Sequence, residues 1–478
     1  MAYYNRRRFL QGSTAAMGVA AGAGLLSMAA PAHATATGYK ALVCLILGGG
    51  LDHADTVLPT DRPSWDALRG YRSSIFDGYG VGSGSSSRDI ENLLPLDAAN
   101  IAKFGGRTFG LPPEMANLHA MFSAGEMAVI GNTGALIEPT TRETIANGSV
   151  RLPPKRHSHN DQESYFQTLG VEGRKPGWGG RFIDELMGDA DRRARTFASM
   201  RMADGLAGGT VPFLAGERTR PFSVPVIRPW EYDIFKRPKY LGGYMDDPTV
   251  EAGLRAHLAS RDVASSNLFM SDMAEMSARA RRDIDDFRSA YFAGADITTE
   301  FPSTRTGSQL RDIARSIAIR GRLGGPSRQV FGARRGGFDI HAGQTTAQPR
   351  MLAEIDEALA AFRSAMIEIG EWSNVCVFTG TDFGRTTIGN GNGTDHGWGG
   401  HAFVMGGSVS GRRILGDIPP VDFSDPSYSK SRGRLIPGVS TETYAASLGS
   451  WFGLGSGVLD TIFPNRRNFD TLDLELFI

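Results

Sequence analysis

Residues 40–47 read KALVCLIL, and a glycine triplet and the segment LDHADT follow at once. A strand covered on one face alternates apolar and polar residues. This run carries no polar residue after Lys40, apart from the weakly polar thiol of Cys44. It therefore predicts a central parallel strand buried on both faces. Parallel neighbours need long crossovers, and the chain supplies them. LPPEMANLHAMFSAGEMAVIGNTG places Met115, Leu118, Met121 and Phe122 at helical spacing ahead of the short run MAVIGN. QPRMLAEIDEALAAFRSAMIEIGEWSNVCVFTGTDFG repeats the theme, with Leu352, Ile355, Leu359 and Phe362 on one face and then VCVFT. HAFVMGG reads as a further strand. Helices alternating with buried strands predict an α/β fold with a mostly parallel central sheet flanked by helices.

Two regions depart from this alternation. From about 185 to 330 there is no buried-strand run, and residues 250–292 are charge-rich and helical in character; the region predicts a helical insertion or cap. Within it, RPWEYDIFKRPKYLGGY (228–244) reads as part of a cap or groove wall. GYGVGSGSSSRD (78–89) reads as a surface loop. The amino terminus is the other departure. Arg6, Arg7, Phe9 and Leu10 fit the twin-arginine pattern RR-x-F-L, and AHA at 32–34 reads as a cleavage site. Residues 1–34 are thus expected to be a signal peptide and 35–478 the folded domain, exported to the periplasm by the twin-arginine translocase. The alternative is an uncleaved anchor, but the Gly/Ala-rich run falls short of the roughly 20 strongly apolar residues of a span.

Lys plus Arg and Asp plus Glu both number 51, so the net charge is zero. Nucleic-acid binding proteins need a clustered basic surface, which nothing here predicts. Cys44 and Cys376 lie in apolar runs and read as small buried hydrophobes, with a disulfide left open by the sequence.

Four candidate strand ends carry polar clusters. LGGGLDHADT holds Asp52, His53, Asp55 and Thr56. RHSHNDQESYF holds His157, Ser158, His159 and Asp161. RGGFDIHAGQ holds Asp339 and His341. FTGTDFGRTT, with the glycine-rich GTDHGWGGH after it, holds Asp382, Arg385, Asp395, His396 and His401. A single Asp after a strand is usually a turn former. Six of the nine histidines fall in these four clusters, however. Ligands in doubly wound folds sit beyond the strands' carboxyl ends. Carboxylates mixed with imidazoles and no thiolates suit zinc, manganese, iron or another divalent ion. One or two such ions promote displacement at phosphorus or sulfur, and Arg385 would offer a planar donor to an oxyanion.

At these motifs the chain resembles the domain-of-unknown-function 1501 family, along nearly all of its predicted mature length. That family resembles the alkaline phosphatase and sulfatase superfamily, with its mostly parallel sheet and metal-centred site. The resemblance implies metal-binding roles for Asp52, Asp339, His341, Asp382 and His396. It implies Ser158 as a hydroxyl nucleophile, with His159 beside it. Asp395 is placed with His396 at the metal by the glycine loop, and His401 behind it. Phe383 stands where the superfamily carries a histidine of the second ion's shell. The implied function is an exported metal-dependent hydrolase of phosphate or sulfate esters, acting on a small-molecule or glycan ester. Two alternatives stand beside it: a non-catalytic descendant that binds a glycan or envelope component, and a one-metal esterase with His159 or Asp161 as base.

Overall fold

The computed structural model describes residues 38–79, 87–173, 176–202, 209–224, 249, 253, 256, 268–294 and 297–478. The expected signal peptide, segment 228–244 and most of the loop at 78–89 lie outside these residues. Residues 36–478 form one unit. Its strands are β1 (Lys40–Leu47), β2 (Leu58–Pro59), β3 (Leu94–Pro95), β4 (Phe109–Leu111), β5 (Met127–Gly134), β6 (Ser199–Met202), β7 (Phe222–Val224), β8 (Arg328–Arg335), β9 (Val375–Thr381), β10 (Gly400–Met405), β11 (Arg413–Gly416) and β12 (Val439–Ser440). The helices of eight residues or more among the described residues are α1 (Arg62–Phe76), α2 (Ala116–Ser123), α3 (His159–Thr168), α4 (Trp178–Leu186), α5 (Leu268–Phe292), α6 (Arg305–Ala318), α7 (Gln344–Glu368) and α8 (Thr441–Phe452).

The main sheet runs β11-β5-β10-β9-β1-β8-β6-β7, with β12 also paired to β5. Every pairing is parallel except those of β10, which runs against both β5 and β9. The sheet is thus mostly parallel, as β1 predicts. A small antiparallel sheet, β2-β4-β3, lies apart from it.

Strand β1 sits at the centre, and its side chains alternate between two cores. Val43, Leu45 and Leu47 join one, built with α2, α6 and α7. Leu42, Cys44 and Ile46 join the other, built with α4 and α8. Period-two alternation with apolar residues on both sides makes the sheet the middle of three layers. Leu352, Ile355, Leu359 and Phe362 of α7 are all at most 4% exposed. Burying each contributes roughly 1.5–3 kcal/mol relative to exposure. Cys44 and Cys376 are buried and free on neighbouring strands.

The stretch from about 185 to 330 is not wholly helical. It contributes α5 and α6, but also β6 and β7, which extend the main sheet. These strands are four and three residues long, too short for an apolar run to show. No helix among the described residues is long and apolar enough to cross a membrane.

Candidate metal centre

Three strand ends and one helix start deliver the site. β1 ends in Gly48–Gly50, β8 runs into Gly336–His341, and β9 ends at Thr381 and Asp382. The three strands are adjacent, in parallel register. Gly49 has φ 111°, and a Cβ there would collide with the backbone of Phe338 and Asp339. Only glycine tolerates both. Its N–H donates to Oδ1 and Oδ2 of Asp382, at 3.2 and 3.1 Å. α3 begins at His159, after Ser158 in extended conformation.

The loop of 384–399 supplies the last wall. Gly384 N–H donates to Trp398 O, Thr386 N–H to Asp395 O and Gly397 N–H to Gly384 O, at 2.8–3.0 Å. The two segments thus pair like strands. A Cβ on Gly397 would strike the carbonyls of Gly384 and Arg385. The glycines are there to let this loop fold closely on itself, which fixes where Asp395 and His396 stand.

Four side chains converge. His159 Nε2 lies 2.9 Å from His396 Nε2, and His341 Nε2 lies 3.1 Å from the same atom. Asp339 Oδ1 lies 3.3, 3.0 and 3.3 Å from Nε2 of His159, His341 and His396. The ligand atoms of His159, Asp339 and His396 all fall within 4.8 Å of one another. Asp339 and His341, two apart, do turn to the same side.

The other ring nitrogens fix the tautomers. His159 Nδ1 is 2.7 Å from Asp382 Oδ2, His341 Nδ1 is 3.2 Å from Asp395 Oδ1, and His396 Nδ1 is 2.9 Å from the His157 carbonyl. Ionised carboxylates and carbonyls only accept, so each Nδ1 carries the hydrogen and donates it. In the neutral rings all three Nε2 atoms are then lone pairs, aimed at one another and at a carboxylate oxygen. Only a proton or a cation relieves that. Ligands about 2.0–2.1 Å from a tetrahedral zinc ion stand roughly 3.3 Å apart, close to the separations seen. A histidine ligand with its other nitrogen on a carboxylate or carbonyl is also the usual second layer of such sites. The residues fit a divalent metal, and three imidazoles to one carboxylate suit zinc, iron or another transition ion better than magnesium or calcium.

The surroundings tune this set. The hydrogen bond to Asp382 raises the pKa of His159. Burial lowers that of His396. Phe383 is buried and packs its ring on His159 and His396, at 4.7 and 4.9 Å between centres.

Several expected site residues stand elsewhere. Asp52 is buried in a two-pronged pair with Arg72, at 2.7 and 2.8 Å, and accepts from Gln344 at 2.6 Å. Burial alone would raise its pKa; Arg72 outweighs that and holds it below the ordinary value. Asp52 faces this network and not the four converging atoms. Asp382 and Asp395 stand behind His159 and His341, as partners of the imidazoles. Arg385 is fully buried and donates to Asp339 Oδ1, Gly49 O and both oxygens of Thr394. It holds the Asp339 carboxylate and does not reach out as an oxyanion donor. Ser158 Oγ donates to Asp161 Oδ2 at 2.7 Å. His401 Nδ1 accepts the Asn132 N–H within β5, apart from the cluster. Sequence reasoning missed the His157 carbonyl, which leaves no mark in side-chain chemistry.

No curated protein matches the sequence. Among solved structures, the chain is similar to Ps i-CgsB in complex with k-i-k-neocarrahexaose at 9% identity, over 90% of this chain and 77% of that one, with a TM-score of 0.33. A second structure of Ps i-CgsB matches at 9% identity over the same shares, with a TM-score of 0.31. Likeness at that level says nothing of this chain's ligand. A family model described as "Protein of unknown function (DUF1501)" matches residues 39–429. That span runs from β1 through all four converging side chains and the glycine loop, and by it the chain belongs to the DUF1501 family.

Proposed function

We propose that the protein is an exported hydrolase of phosphate or sulfate esters that works with one divalent metal ion, on an alkaline-phosphatase-like core. The observation that carries the reading is the meeting of three imidazole lone pairs and one carboxylate oxygen, each imidazole held from behind. Asp52 and Asp382, the further carboxylates expected of a second ion, are committed to Arg72 and to His159 with Gly49; one ion suits the donor set. A bound ion supplies Lewis-acid polarisation of an ester oxygen.

The chain's own groups do the rest. Asp382 and Asp395 keep His159 and His341 in one tautomer, and Arg385 keeps Asp339 turned toward them. Ser158 precedes His159 at the start of α3, with its hydroxyl proton on Asp161. In this reading Ser158 Oγ attacks phosphorus or sulfur while Asp161 takes its proton. The ester P–O or S–O bond breaks, and the alkoxide leaves as the alcohol with a proton from Asp161 or water. Water then attacks the same centre, restoring the Ser158 hydroxyl and releasing phosphate or sulfate. A second reading, a metal-bearing protein that binds a glycan or envelope component without turnover, is favoured by Phe383. That ring makes an apolar wall against two of the imidazoles.

Metal analysis of protein purified from its native export route tests both. About one equivalent of a transition ion is expected, with a chelator-reversible rise in thermal stability and hydrolysis of nitrophenyl phosphate or sulfate. No metal sinks both readings; metal without turnover on either ester leaves the second. Export rests on Arg6 and Arg7. Replacing both with Lys should hold the precursor in the cytoplasm, and efficient export of that variant would remove the twin-arginine assignment.

A further inference from the structure

Beside the metal centre, Leu152, Pro153, Lys155, Arg156, His157 and Ser158 line a groove of about 450 Å³. The backbone at Lys155 is left-handed, with φ 46°, an unusual conformation for a residue with a Cβ. The chain that follows runs beside the glycine loop. His157 O takes the Nδ1 hydrogen of His396, and His157 Nδ1 lies 2.8 Å from Gly397 O. Arg156 lies with its guanidinium 5.0 Å from the centre of the Trp398 ring.

Among the described residues no carboxylate pairs with that guanidinium. Its Nη1 is shut from solvent and has no hydrogen-bond partner. Most buried polar groups are satisfied, and an exception calls for a reason. Burial without a counter-charge also lowers the pKa of Arg156. Lys155 adds a second positive charge, shared with Asp161 at 3.3 Å. Arg385 is spent on Asp339 and Thr394, so it is not the group that meets a ligand's charge.

We propose that Arg156, with Lys155 beside it, anchors a tetrahedral oxyanion, phosphate or sulfate, of the ligand that occupies the metal centre. This rests on the metal-centre reading above and names the group that selects anionic over neutral ligands there. With Nη1 covered, the remaining N–H groups of this groove-lining guanidinium are the donors that would meet such an anion, and Nε with Nη2 still forms a two-pronged edge.

The test is calorimetric titration of inorganic phosphate, and separately of sulfate, into zinc-reconstituted wild type, Arg156→Gln and Arg156→Lys, with zinc content measured on the same samples. Wild type should bind one or both anions. Arg156→Gln should bind at least about tenfold more weakly, the scale of one lost hydrogen bond to a charged group, and Arg156→Lys should fall between. Zinc content should be equal in all three. Equal anion affinity at equal zinc content overturns the anchor and leaves the metal centre standing. Failure of wild type to bind either anion also overturns it. Loss of zinc in both variants overturns it too, since Arg156 would then be serving the fold. Arg156-dependent anion binding in a wild type that holds no zinc supports the anchor and removes the metal reading.

Discussion

Asp52 and Asp339 hold matching places in the chain. Each follows two glycines and one apolar residue, GGL and GGF, beyond adjacent parallel strands β1 and β8. Around Asp52 every charge is answered. Arg72 grips both of its oxygens and also donates to the carbonyls of Thr386 and Thr387. Next to it Arg88 pairs with Asp55 and Glu114, and Tyr79 donates to Asp55. Around Asp339 the count closes only with a proton or a cation. One guanidinium donates to it, and three imidazole nitrogens face it with lone pairs. A balanced polar cluster at a strand end is scaffold, and one with a surplus of acceptors has room for a cation.

The largest test of that contrast is Arg72→Leu. It leaves Asp52 buried and unpaired, and breaking a buried pair from one side costs about 3–5 kcal/mol. Urea unfolding should show a loss of that order. A loss under about 1 kcal/mol would mean the Asp52 network is not the closed scaffold described.

Asp395→Asn should behave in the opposite way. Asn keeps the shape but weakens the hold on His341, and changes behind a ligand commonly reduce metal affinity about 10–100-fold. The metal-free protein should unfold within about 1 kcal/mol of wild type. Zinc titration of folded protein reads the first, urea the second. Unchanged zinc affinity would show that Asp395 merely shapes its loop.

The last contrast concerns two imidazoles outside that cluster. His53 and His401 are buried edge to face, with ring centres 5.4 Å apart. Burial pushes their pKa values down to about 3 and about 4 from 6.5. The folded values lie below the unfolded, so the unfolded chain takes up protons first as pH falls. Their contribution is whole above about pH 6.5 and is lost as pH falls toward 4 and 3. Each proton gives a slope of about 1.4 kcal/mol per pH unit. His53→Gln in metal-free protein should remove about one proton from the slope between pH 6 and 4. An unaltered slope would mean His53 is protonated in the fold.

The sheet was legible because burial on both faces writes itself as unbroken apolar runs. β1, the core of β5, and β9 are such runs, and the stripe on α7 comes from the same cause. The direction of β10 was not legible, since HAFVM reads alike either way. For the site, His341, Asp339 and His396 could be named from clustering at strand ends. Asp52 could not be separated from Asp339, because the local sequence is the same and the deciding partner, Arg72, is 20 positions on. That His159 faces the cluster depends on the entry angle of α3, and the Asp382 contact behind it joins segments more than 200 residues apart.

The central strand has a kinetic consequence. β1, nearly the first described segment, finds its neighbours only at Arg328–Arg335 and Val375–Thr381. Closing loops of that length makes slow, late contacts. On a ribosome, β1 must wait unpaired until most of the chain has emerged, and His159, Asp339, His341 and His396 cannot meet before β8 and β9 dock on it. The four side chains therefore assemble only at the end of folding, and a fragment lacking the last hundred residues lacks His396.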